Sequence, residues 1–561
     1  MAQVEAPRAA RAAGILHGVT LVVTGAFLLW LNRDQWFQSD EFDFLANRGL
    51  VGGSERGLFA PHNEHWSTLP ILAYRGLYGL VGLTTYWPYT LLLVVLHLAV
   101  AHLLWRTARR SGADVWVATA LAAVFCVLGA GWENLLWAFQ SAILGSLLAG
   151  LVHLALVDRD GPLGRRDWLG AGMACLGLAC SAVGVAMVGA VGLAVTLRRG
   201  GRAGLVAVVP PAVVFSVWFA AAGRAGLDGG GPTPSVLLAL PAFVGGGVLG
   251  ALHGLVRLDL VGDVLGIALL AWAAVAVLRD RRLAAAPLGL GAGALLFFGL
   301  AGLGRVTAGG DPTSSRYLYV AIALLLPALA MARSMAGSRL RTAPRAAVAL
   351  AVASVLLVPG VRTLLVESRV HAEAEQAWRS RIVAAAQLEA AEPDLVVDRH
   401  VTVDLDLDEL AIMRDEGRLP AIDPGEQARA EARALLGIGL AGSRGPSAAP
   451  VVAGGADGPA IVATDDLRVD EVGDGCRRLV PLGGVAAVTL DVRASSAVTL
   501  DQSTPSPVGV LVEDLARGTR AARPRPLMPD GPVTVRFGYP ARVTLELGGS
   551  GATVLCEQSR P

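Results

Sequence analysis

The sequence predicts an α-helical polytopic membrane protein with about 11 spans and one re-entrant segment, followed by a helical region and a small β-sandwich. Hydrophobic residues make up 54% of the 561 residues and the mean hydropathy is +0.55, both high for a soluble protein of this length. Apolar runs of span length recur along the first 365 residues. After residue 366 the apolar runs become short, and the charge balance changes sign.

The charge distribution divides the chain. Residues 1–365 carry 27 Arg and 17 acidic residues, whereas residues 366–561 carry 20 Arg and 29 acidic residues. All 47 basic residues are Arg, which together with the abundant Ala, Gly and Val is typical of a bacterial genome of high GC content. We predict a membrane domain at 1–365, an extracytoplasmic helical region at 366–445 and a β-sandwich at 446–561.

Eleven apolar runs have the length that crosses a hydrocarbon core of about 30 Å. They lie at 14–32, 88–105, 114–130, 141–157, 168–181, 182–197, 203–223, 262–278, 285–303, 317–332 and 346–362. The first run is not followed by a small-residue cleavage site, so we expect a retained helix and not a signal peptide.

A twelfth apolar segment, 236–255, is assigned by the positive-inside rule. Five Arg clusters are expected on the cytoplasmic side, at 106–110, 159–166, 198–202, 279–282 and 333–345. A full crossing by 236–255 would place 279–282 outside, whereas a segment that enters the bilayer and returns places every cluster inside. We therefore predict a re-entrant segment, a cytoplasmic N-terminus and an extracytoplasmic C-terminal domain in a bacterial plasma membrane.

This topology gathers four polar segments on the outer side. The first, QSDEFDFLANRG, places Asp40, Glu41 and Asp43 within four positions and next to apolar residues. Carboxylates held close together near apolar surface have their pKa values pushed apart, as acid–base chemistry requires. Asp40 and Glu41 are the candidate catalytic pair, either of which can act as a general base. The alternative is that these acids are solvated interfacial residues.

The second segment is HNEH, which consists of His62, Asn63, Glu64 and His65. It lacks the HExxH spacing of zinc proteases, because the Glu is misplaced and the two His are only three positions apart. Three interpretations are open: a divalent metal site with Asp40, His62 and His65 as candidates, a polar network or substrate contact, and no functional role.

The third segment, GWENLLWAFQS, contains Trp132, Glu133, Asn134 and Gln140. An aromatic ring among amides and an acid suits a surface that contacts a sugar ring, and an interfacial aromatic belt is the alternative.

The fourth segment, GRVTAGGDPTSSRYLY, ends with Arg316 and Tyr317 at the start of a span, with Arg305 at its other edge. Arg316 departs from the cytoplasmic bias of the other Arg residues, which favours a phosphate-binding role. A snorkelling Arg with belt tyrosines is the alternative.

The sequence contains no GxxxxGK[ST] motif, no strand-embedded GxGxxG and no GxSxG motif. We therefore expect neither a nucleotide-hydrolysing site nor a Rossmann site, and no nucleic-acid partner.

In this combination, residues 14–362 resemble the GT-C superfamily of integral-membrane glycosyltransferases, which includes protein mannosyltransferases and the lipid A aminoarabinose transferase. Asp40 and Glu41 are similar to the acidic motif of the first outer loop in that superfamily. Arg316 and Tyr317 are similar to its Arg-Tyr motif near a late span. PHNEHWSTLP and WENLLWAFQ resemble segments of uncharacterised bacterial members. Glu133 matches the acidic residue of the second outer loop only loosely, and the resemblance places no metal site.

The resemblance implies transfer of a sugar from a polyprenyl-phosphate carrier to a glycan, lipid or protein acceptor of the cell envelope, at the outer face of the lipid bilayer. A divalent metal ion is the candidate cofactor. Two alternatives stay open: a transporter or flippase for a lipid-linked glycan, which predicts charged residues buried in the spans, and an oligosaccharide ligase or polymerase. The implied roles are base or metal ligand for Asp40, support for Glu41, site lining for His62, Glu64 and His65, and phosphate binding for Arg316.

The C-terminal part predicts helices in DLDLDELAIMRDEG and DPGEQARAEARALLGIG, the second with Asp423 as N-cap and Pro424 at its first position. Short β-rich runs after residue 450 predict an antiparallel sandwich. Cys476 and Cys556 bracket this domain and can pair in an oxidising compartment. Carbohydrate binding and a structural cap are both open for the sandwich.

Overall fold

The computed structural model describes most of the chain. The described residues are 7–46, 48, 57–226, 233–306, 309–335, 342–402, 404–442, 460–473, 476–482, 486–493, 497–502, 507–522, 533–548 and 551–558. The chain forms two compact units. Unit 1 consists of Met1–Gln35, Glu55–Leu80 and Thr85–Glu373, and unit 2 consists of Trp36–Ser54, Val81–Thr84 and Ala374–Pro561.

The described residues form 17 α-helices, which are numbered in chain order. They are α1 (Pro7–Leu31), α2 (Glu41–Leu45), α3 (Thr68–Val81), α4 (Trp87–Arg110), α5 (Val115–Cys126), α6 (Glu133–Leu136), α7 (Ser141–Val157), α8 (Arg165–Leu178), α9 (Val183–Arg199), α10 (Gly201–Ala221), α11 (Pro234–Val256), α12 (Asp259–Asp280), α13 (Ala285–Arg305), α14 (Ser315–Met335), α15 (Thr342–Ala391), α16 (Leu407–Asp415) and α17 (Gly425–Leu436).

Each of the eleven predicted spans coincides with one of these helices. Within the described part of the chain, nine helices are long and apolar enough to cross a membrane. Helices α5, α8 and α9 are shorter, with 12, 14 and 17 residues, whereas α11 is included in the nine. The structure is therefore compatible with a multi-pass membrane protein.

The helices of unit 1 bring Arg-rich segments together at one end, which we call the arginine end. The contacts are a hydrogen bond from Arg110 to the Ala155 carbonyl, an ion pair between Arg199 and Asp167, and packing of Gly112 against Leu283. Four of the five predicted cytoplasmic clusters therefore meet there, and the side chains of 333–345 lie outside the described residues. The opposite end, formed by residues 59–66, 129–140 and 305–316, is called the loop end.

Helix α11 corrects the predicted re-entrant segment. It is one unbroken helix of 23 residues, so the chain does not reverse inside 236–255. Both halves of α11 nevertheless contact the loop end. Phe243 lies against Gly302 near the end of α13, Gly250 against Thr313, and Gly254 against Ala130. Contacts near both ends of the segment thus lie on one side of the bundle, as the Arg distribution requires, but the segment is a continuous helix and does not enter and return.

Helix α15 extends well beyond any membrane. Its 50 residues span about 75 Å, more than twice the roughly 30 Å of a hydrocarbon core. Gly360 packs against Gly129, which places the end of the predicted span 346–362 at the loop end. The remainder of α15, from residue 363 onward, is rich in charged residues and lies beyond the predicted span 346–362.

Unit 2 contains the 13 strands of the described residues. They are β1 (His400–Thr402), β2 (Leu405–Asp406), β3 (Ile438–Gly442), β4 (Ala460–Asp465), β5 (Leu467–Gly473), β6 (Cys476–Pro481), β7 (Ala486–Val492), β8 (Ala497–Gln502), β9 (Val508–Asp514), β10 (Thr519–Ala522), β11 (Val533–Phe537), β12 (Ala541–Leu547) and β13 (Thr553–Gln558). Two antiparallel sheets, in the orders β10-β9-β12-β7-β4 and β3-β11-β8-β13-β6-β5, follow a two-stranded hairpin. Strands β7 and β12 bury every second residue, as expected of sheets with one face in a core.

The division of the chain differs from the predicted one. Strand β3 lies within the predicted helical region but pairs with β11 in the six-stranded sheet, so 374–442 and the two sheets form one unit. Residues 36–54 also belong to unit 2 and not to the membrane domain. Helix α17 begins one residue later than predicted, with Pro424 as its N-cap.

A disulfide joins Cys476 and Cys556, the pair that the sequence singles out. The two residues lie directly opposite each other on β6 and β13. Because β4 and β5 precede Cys476, the bridge links neighbouring strands and does not tie the two ends of the domain together.

Candidate functional site

The HNEH segment forms a tight turn at the loop end of unit 1. His62 and His65 exchange backbone hydrogen bonds of 3.0 and 2.9 Å. Asn63, inside the turn, has a φ of 49°, in the left-handed region that Asn tolerates better than most residues. The turn is therefore a local consequence of the sequence, and it presents Glu64 and His65 next to each other.

Glu64 pairs with Arg305, the last residue of α13. The Arg305 Nη2 donates a hydrogen bond of 2.7 Å to Glu64 Oε1, and both side chains are 33% exposed. His65 Nε2 lies 3.8 Å from the same carboxylate oxygen. A cation at the C-terminus of a helix is favourable, because it complements the helix dipole. Glu64 therefore holds one guanidinium group at the loop end.

Glu133 holds a second guanidinium group at the start of α14. Its Oε2 accepts the backbone N–H of Arg316 at 2.9 Å, and its Oε1 lies 3.9 Å from Arg316 Nη1. The Arg316 side chain is 39% exposed, whereas that of Glu133 is 19% exposed. Tyr317 follows, with the Arg316 guanidinium 5.6 Å from the centre of its ring. Arg316 is thus oriented by Glu133 and still open to a ligand.

His65 connects the two arginines electrostatically. The pKa of His65 is lowered from 6.5 to about 4, chiefly by burial of the imidazole. The Glu64 carboxylate opposes this shift, and the charges of His62, Arg305 and Arg316 add to it. The His65 Nδ1 is buried and has no hydrogen-bond partner among the described residues. We call Glu64, His65, Glu133, Arg305 and Arg316 the arginine-pair cluster. At neutral pH it contains a neutral imidazole that interacts electrostatically with two cations.

The aromatic residues of the third segment are mostly packed. The ring of Trp132 lies 4.5 Å from that of His371, and Phe139 lies edge-on to His62 at 5.3 Å. Asn134 is fully buried, and neither atom of its amide has a partner within the described part of the protein. Gln140 is 2% exposed. These side chains line the base of the loop end and do not form an open sugar-binding surface by themselves.

The acidic segment belongs to unit 2. Asp40 is partly exposed and precedes α2, whereas Glu41 and Asp43 are fully buried. Glu41 Oε2 accepts the backbone N–H of Gln38 at 2.9 Å. Asp43 forms a buried ion pair with Arg48, in which Nη2 lies 2.7 Å from Oδ2. The segment therefore contains one accessible carboxylate, Asp40, and two carboxylates with structural partners.

Glu375, on the part of α15 beyond the span, is the residue that the sequence pattern does not identify. It is 3% exposed, and it accepts hydrogen bonds from the Trp36 backbone N–H at 2.7 Å and from Gln38 Nε2 at 2.8 Å. Burial raises its pKa to about 9, with a further contribution from the charge of Glu41. A helical stretch with several Glu residues carries no sequence signal that distinguishes the buried one.

The metal-site interpretation finds no support in the geometry. Among the described residues, no group of three or more His, Cys, Asp or Glu side chains is arranged to hold a metal ion. His62 contacts Asn63 and Phe139, and Glu64 is bound to Arg305. A polar network is the interpretation that these contacts favour for HNEH.

Comparison with known proteins adds little. No protein-family model matches the chain, and no curated protein matches it. Two solved structures of variants of the family 29 carbohydrate-binding module CBM29-2 are similar to part of it, with 18% and 17% identity. Each likeness covers 19% of this chain and 85% or 80% of the module, with a TM-score of 0.15. Because this score is so low, the likeness carries no argument about fold or function.

Proposed function

We propose that the protein is a membrane glycosyltransferase of GT-C type. It transfers a sugar from a polyprenyl-phosphate carrier to a glycan, lipid or protein acceptor of the cell envelope. The observation that supports this proposal most is the arginine-pair cluster, in which Arg305 and Arg316 lie near one neutral His65 at the end of a bundle of apolar helices. Two guanidinium groups at that level suit a phosphate attached to a lipid.

The same geometry explains why Arg is used. Glu64 accepts one hydrogen bond from Arg305, and Glu133 lies 3.9 Å from one nitrogen of Arg316. The other donors of each guanidinium group are then available to a ligand. Five N–H groups in a fixed plane allow this division, whereas a Lys ammonium has three donors around one nitrogen atom. His65 stays neutral, so it offers a hydrogen-bonding group without a further charge.

The proposed reaction is a substitution at the anomeric carbon of the donor. An acceptor hydroxyl oxygen forms a bond to that carbon, and the bond from the carbon to the phosphate oxygen breaks. The hydroxyl proton passes to a carboxylate, for which Asp40 is the candidate from the sequence. The leaving polyprenyl phosphate gains negative charge, which Arg305 and Arg316 stabilise. The buried and hydrogen-bonded Glu41 then has a structural role in support of Asp40.

The proposed topology places the loop end on the extracytoplasmic side of a bacterial plasma membrane and the arginine end in the cytoplasm, with a cytoplasmic N-terminus. The positive-inside rule supports this orientation, because four Arg clusters meet at the arginine end.

A transporter or flippase is less well supported. That class requires charged residues buried along the spans. In the described part of unit 1, the buried acidic residue is Asp167, which lies in the first turn of α8 and pairs with Arg159 and Arg199 at the arginine end. An oligosaccharide ligase or polymerase uses the same class of donor, and the test below separates it by the product.

The test is sugar release by the purified protein from a panel of polyprenyl-phosphate sugars, with wild type compared to Asp40→Asn. We expect turnover of at least one donor by wild type and loss of that turnover in Asp40→Asn, with an unchanged melting temperature. Equal turnover by both proteins would remove Asp40 from the mechanism. If whole oligosaccharides and not single sugars are transferred, the ligase alternative is correct. Failure of every donor would contradict the proposal.

A further inference from the structure

Helix α11 is apolar on every side. No Asp, Glu or Arg occurs between Pro234 and Val256, and the one titratable side chain is His253 near the end. The exposed residues are spaced by three or four positions and form one stripe. This stripe consists of Leu238, Pro241, Ala242, Gly245 and Leu249, with Leu238 83% exposed. Ser235 in the first turn is the polar residue that precedes this stripe, and from Leu238 onward the stripe is apolar and unsuited to water.

The opposite face of α11 packs closely on the loop end. Gly247 lies so near the Phe298 ring that a Cβ would be 2.3 Å from it, and Gly250 approaches Thr313 in the same way. Gly254 contacts Ala130. Small residues permit such an approach between helices and their neighbours. From Gly247 to Gly254 the contacts pass from Phe298, seven positions before Arg305, to Thr313 and Ala130 of the loop end. They do not progress towards the arginine end, as the contacts of a helix that crosses the bilayer would.

The surface next to α11 shows what covers its exposed stripe. Gly266 of α12 contacts Leu249 and Leu252, so the two helices are neighbours. Helix α12 has the length and composition of a span, and its Leu260, Ile267 and Leu270 are 70–76% exposed. The exposed leucines of α11 continue this surface. One bilayer can therefore cover both.

We propose that α11 lies within the leaflet at the loop end, roughly parallel to the membrane plane, with its exposed stripe in contact with lipid acyl chains. Helix α11 does not cross the membrane, although it is long enough to do so. Because it packs on both Gly302 and Thr313, it fixes the ends of α13 and α14 that carry Arg305 and Arg316. The two guanidinium groups are thereby kept at the level of the lipid headgroups, whatever ligand they bind.

The test is the immersion depth of spin labels on the full-length protein in phosphatidylglycerol and phosphatidylethanolamine vesicles. The background protein carries Cys126→Ala, Cys175→Ala and Cys180→Ala and keeps the disulfide. The α11 positions are Leu238→Cys, Ala242→Cys, Gly245→Cys and Leu249→Cys. The matched α12 positions are Leu260→Cys, Ile267→Cys, Leu270→Cys and Leu278→Cys. Depth comes from the relative collision rates with oxygen and with a water-soluble nickel complex.

The proposal predicts one shallow depth for all four α11 labels and a depth that rises and then falls along α12. In a crossing helix, the labels at 238 and 249 would differ by about 16 Å, at 1.5 Å per residue. Such a difference would overturn the proposal. So would nickel collision rates typical of water, or labels immobilised by a second copy of the chain. The labels on α12 serve as the control for native membrane insertion in the same background protein. If one of the α11 variants fails to insert, Pro241→Cys replaces it.

Discussion

Glu133 contacts Arg316 through both the backbone and the side chain. Its Oε2 accepts the Arg316 backbone N–H at 2.9 Å, and its Oε1 lies 3.9 Å from the guanidinium group. The backbone N–H of Glu133 donates in turn to Ser315 Oγ at 3.1 Å. A carboxylate at a helix N-terminus accepts an otherwise unpaired backbone N–H, and its negative charge interacts favourably with the helix dipole. Glu133 therefore caps α14 and orients Arg316 in one arrangement.

Replacement of Glu133 separates these two effects. Glu133→Ala removes the acceptor, and we expect the free energy of unfolding to fall by about 1 kcal/mol, as for the loss of other helix caps. Glu133→Gln keeps an acceptor oxygen, so its loss should be less than half as large. Thermal melts in detergent measure both. Equal losses in the two variants would show that charge and not the hydrogen bond holds the start of α14.

The lowered pKa of His65 predicts acid sensitivity. Its pKa is about 4 in the folded protein and 6.5 in the unfolded chain, so between these values the unfolded chain binds the additional proton. The contribution of His65 to stability is present above pH 6.5 and is lost as the pH falls to 4. His65→Asn should therefore flatten the fall in apparent melting temperature over that window.

The comparison for His65→Asn is the wild-type protein, melted in the same buffers from pH 6.5 to 4. If His65→Asn follows the wild-type curve from pH 6.5 to 4, the imidazole is not held neutral by its surroundings.

Glu375 predicts the opposite pH dependence for unit 2. Its pKa is about 9 in the folded protein and 4.5 in the unfolded chain, so the folded state holds the proton in between. The contribution of Glu375 to the stability of unit 2 is therefore present below pH 4.5 and is lost as the pH rises through 9. Glu375→Gln should flatten the decline on the alkaline side. It should also lower stability at pH 5, because the Gln side chain has one acceptor oxygen in place of the two that accept from Trp36 and Gln38.

Glu373→Gln is the matched control for Glu375, since Glu373 lies two residues earlier on α15 and is exposed. The readout is the loss of folded unit 2 on limited proteolysis from pH 5 to 9. Parallel curves for wild type and both variants would rule out a proton held by Glu375.

The ion pair between Asp43 and Arg48 predicts a large cost for single substitutions. Both side chains are fully buried, so removal of one partner leaves the other charge buried without this ion pair. We expect Asp43→Asn or Arg48→Met to lower the free energy of unfolding by about 3–5 kcal/mol. The double variant Asp43→Leu with Arg48→Met should recover most of that loss. Chemical denaturation is the measurement, and additive losses in the double variant would contradict the pairing.

The sequence predicts the helices of unit 1 well, because each apolar run must satisfy its backbone hydrogen bonds internally if it enters a membrane. It does not predict α3, whose 14 residues at Thr68–Val81 are too few to cross. The prediction that 236–255 is re-entrant is wrong, because the segment lies within one continuous helix. The Arg distribution shows on which side a segment ends, but both a re-entrant loop and a helix along the bundle end satisfy that condition.

The candidate site was predictable in part. The residue types around Arg316 are visible in the sequence, whereas its pairing with Glu133 across 183 positions depends on the packing of distant helices. Arg305 is visible at the edge of the same segment, and its partner Glu64 is 241 positions away. Burial of Glu41 and of Glu375 also depends on tertiary packing, so the pattern of acids alone does not distinguish them from the partly exposed Asp40.

The most direct test of the account measures kcat and KM for a lipid-phosphate sugar donor in Arg305→Gln and Arg316→Gln. Arg257→Gln, which removes a guanidinium group bound to Thr363 outside the cluster, is the control. We expect kcat/KM to fall on the order of 100-fold in each cluster variant. The kcat/KM of Arg257→Gln and the melting temperatures of all three variants should stay near the wild-type values. Wild-type kcat/KM in both cluster variants would contradict the assignment of the arginine pair to the donor phosphate.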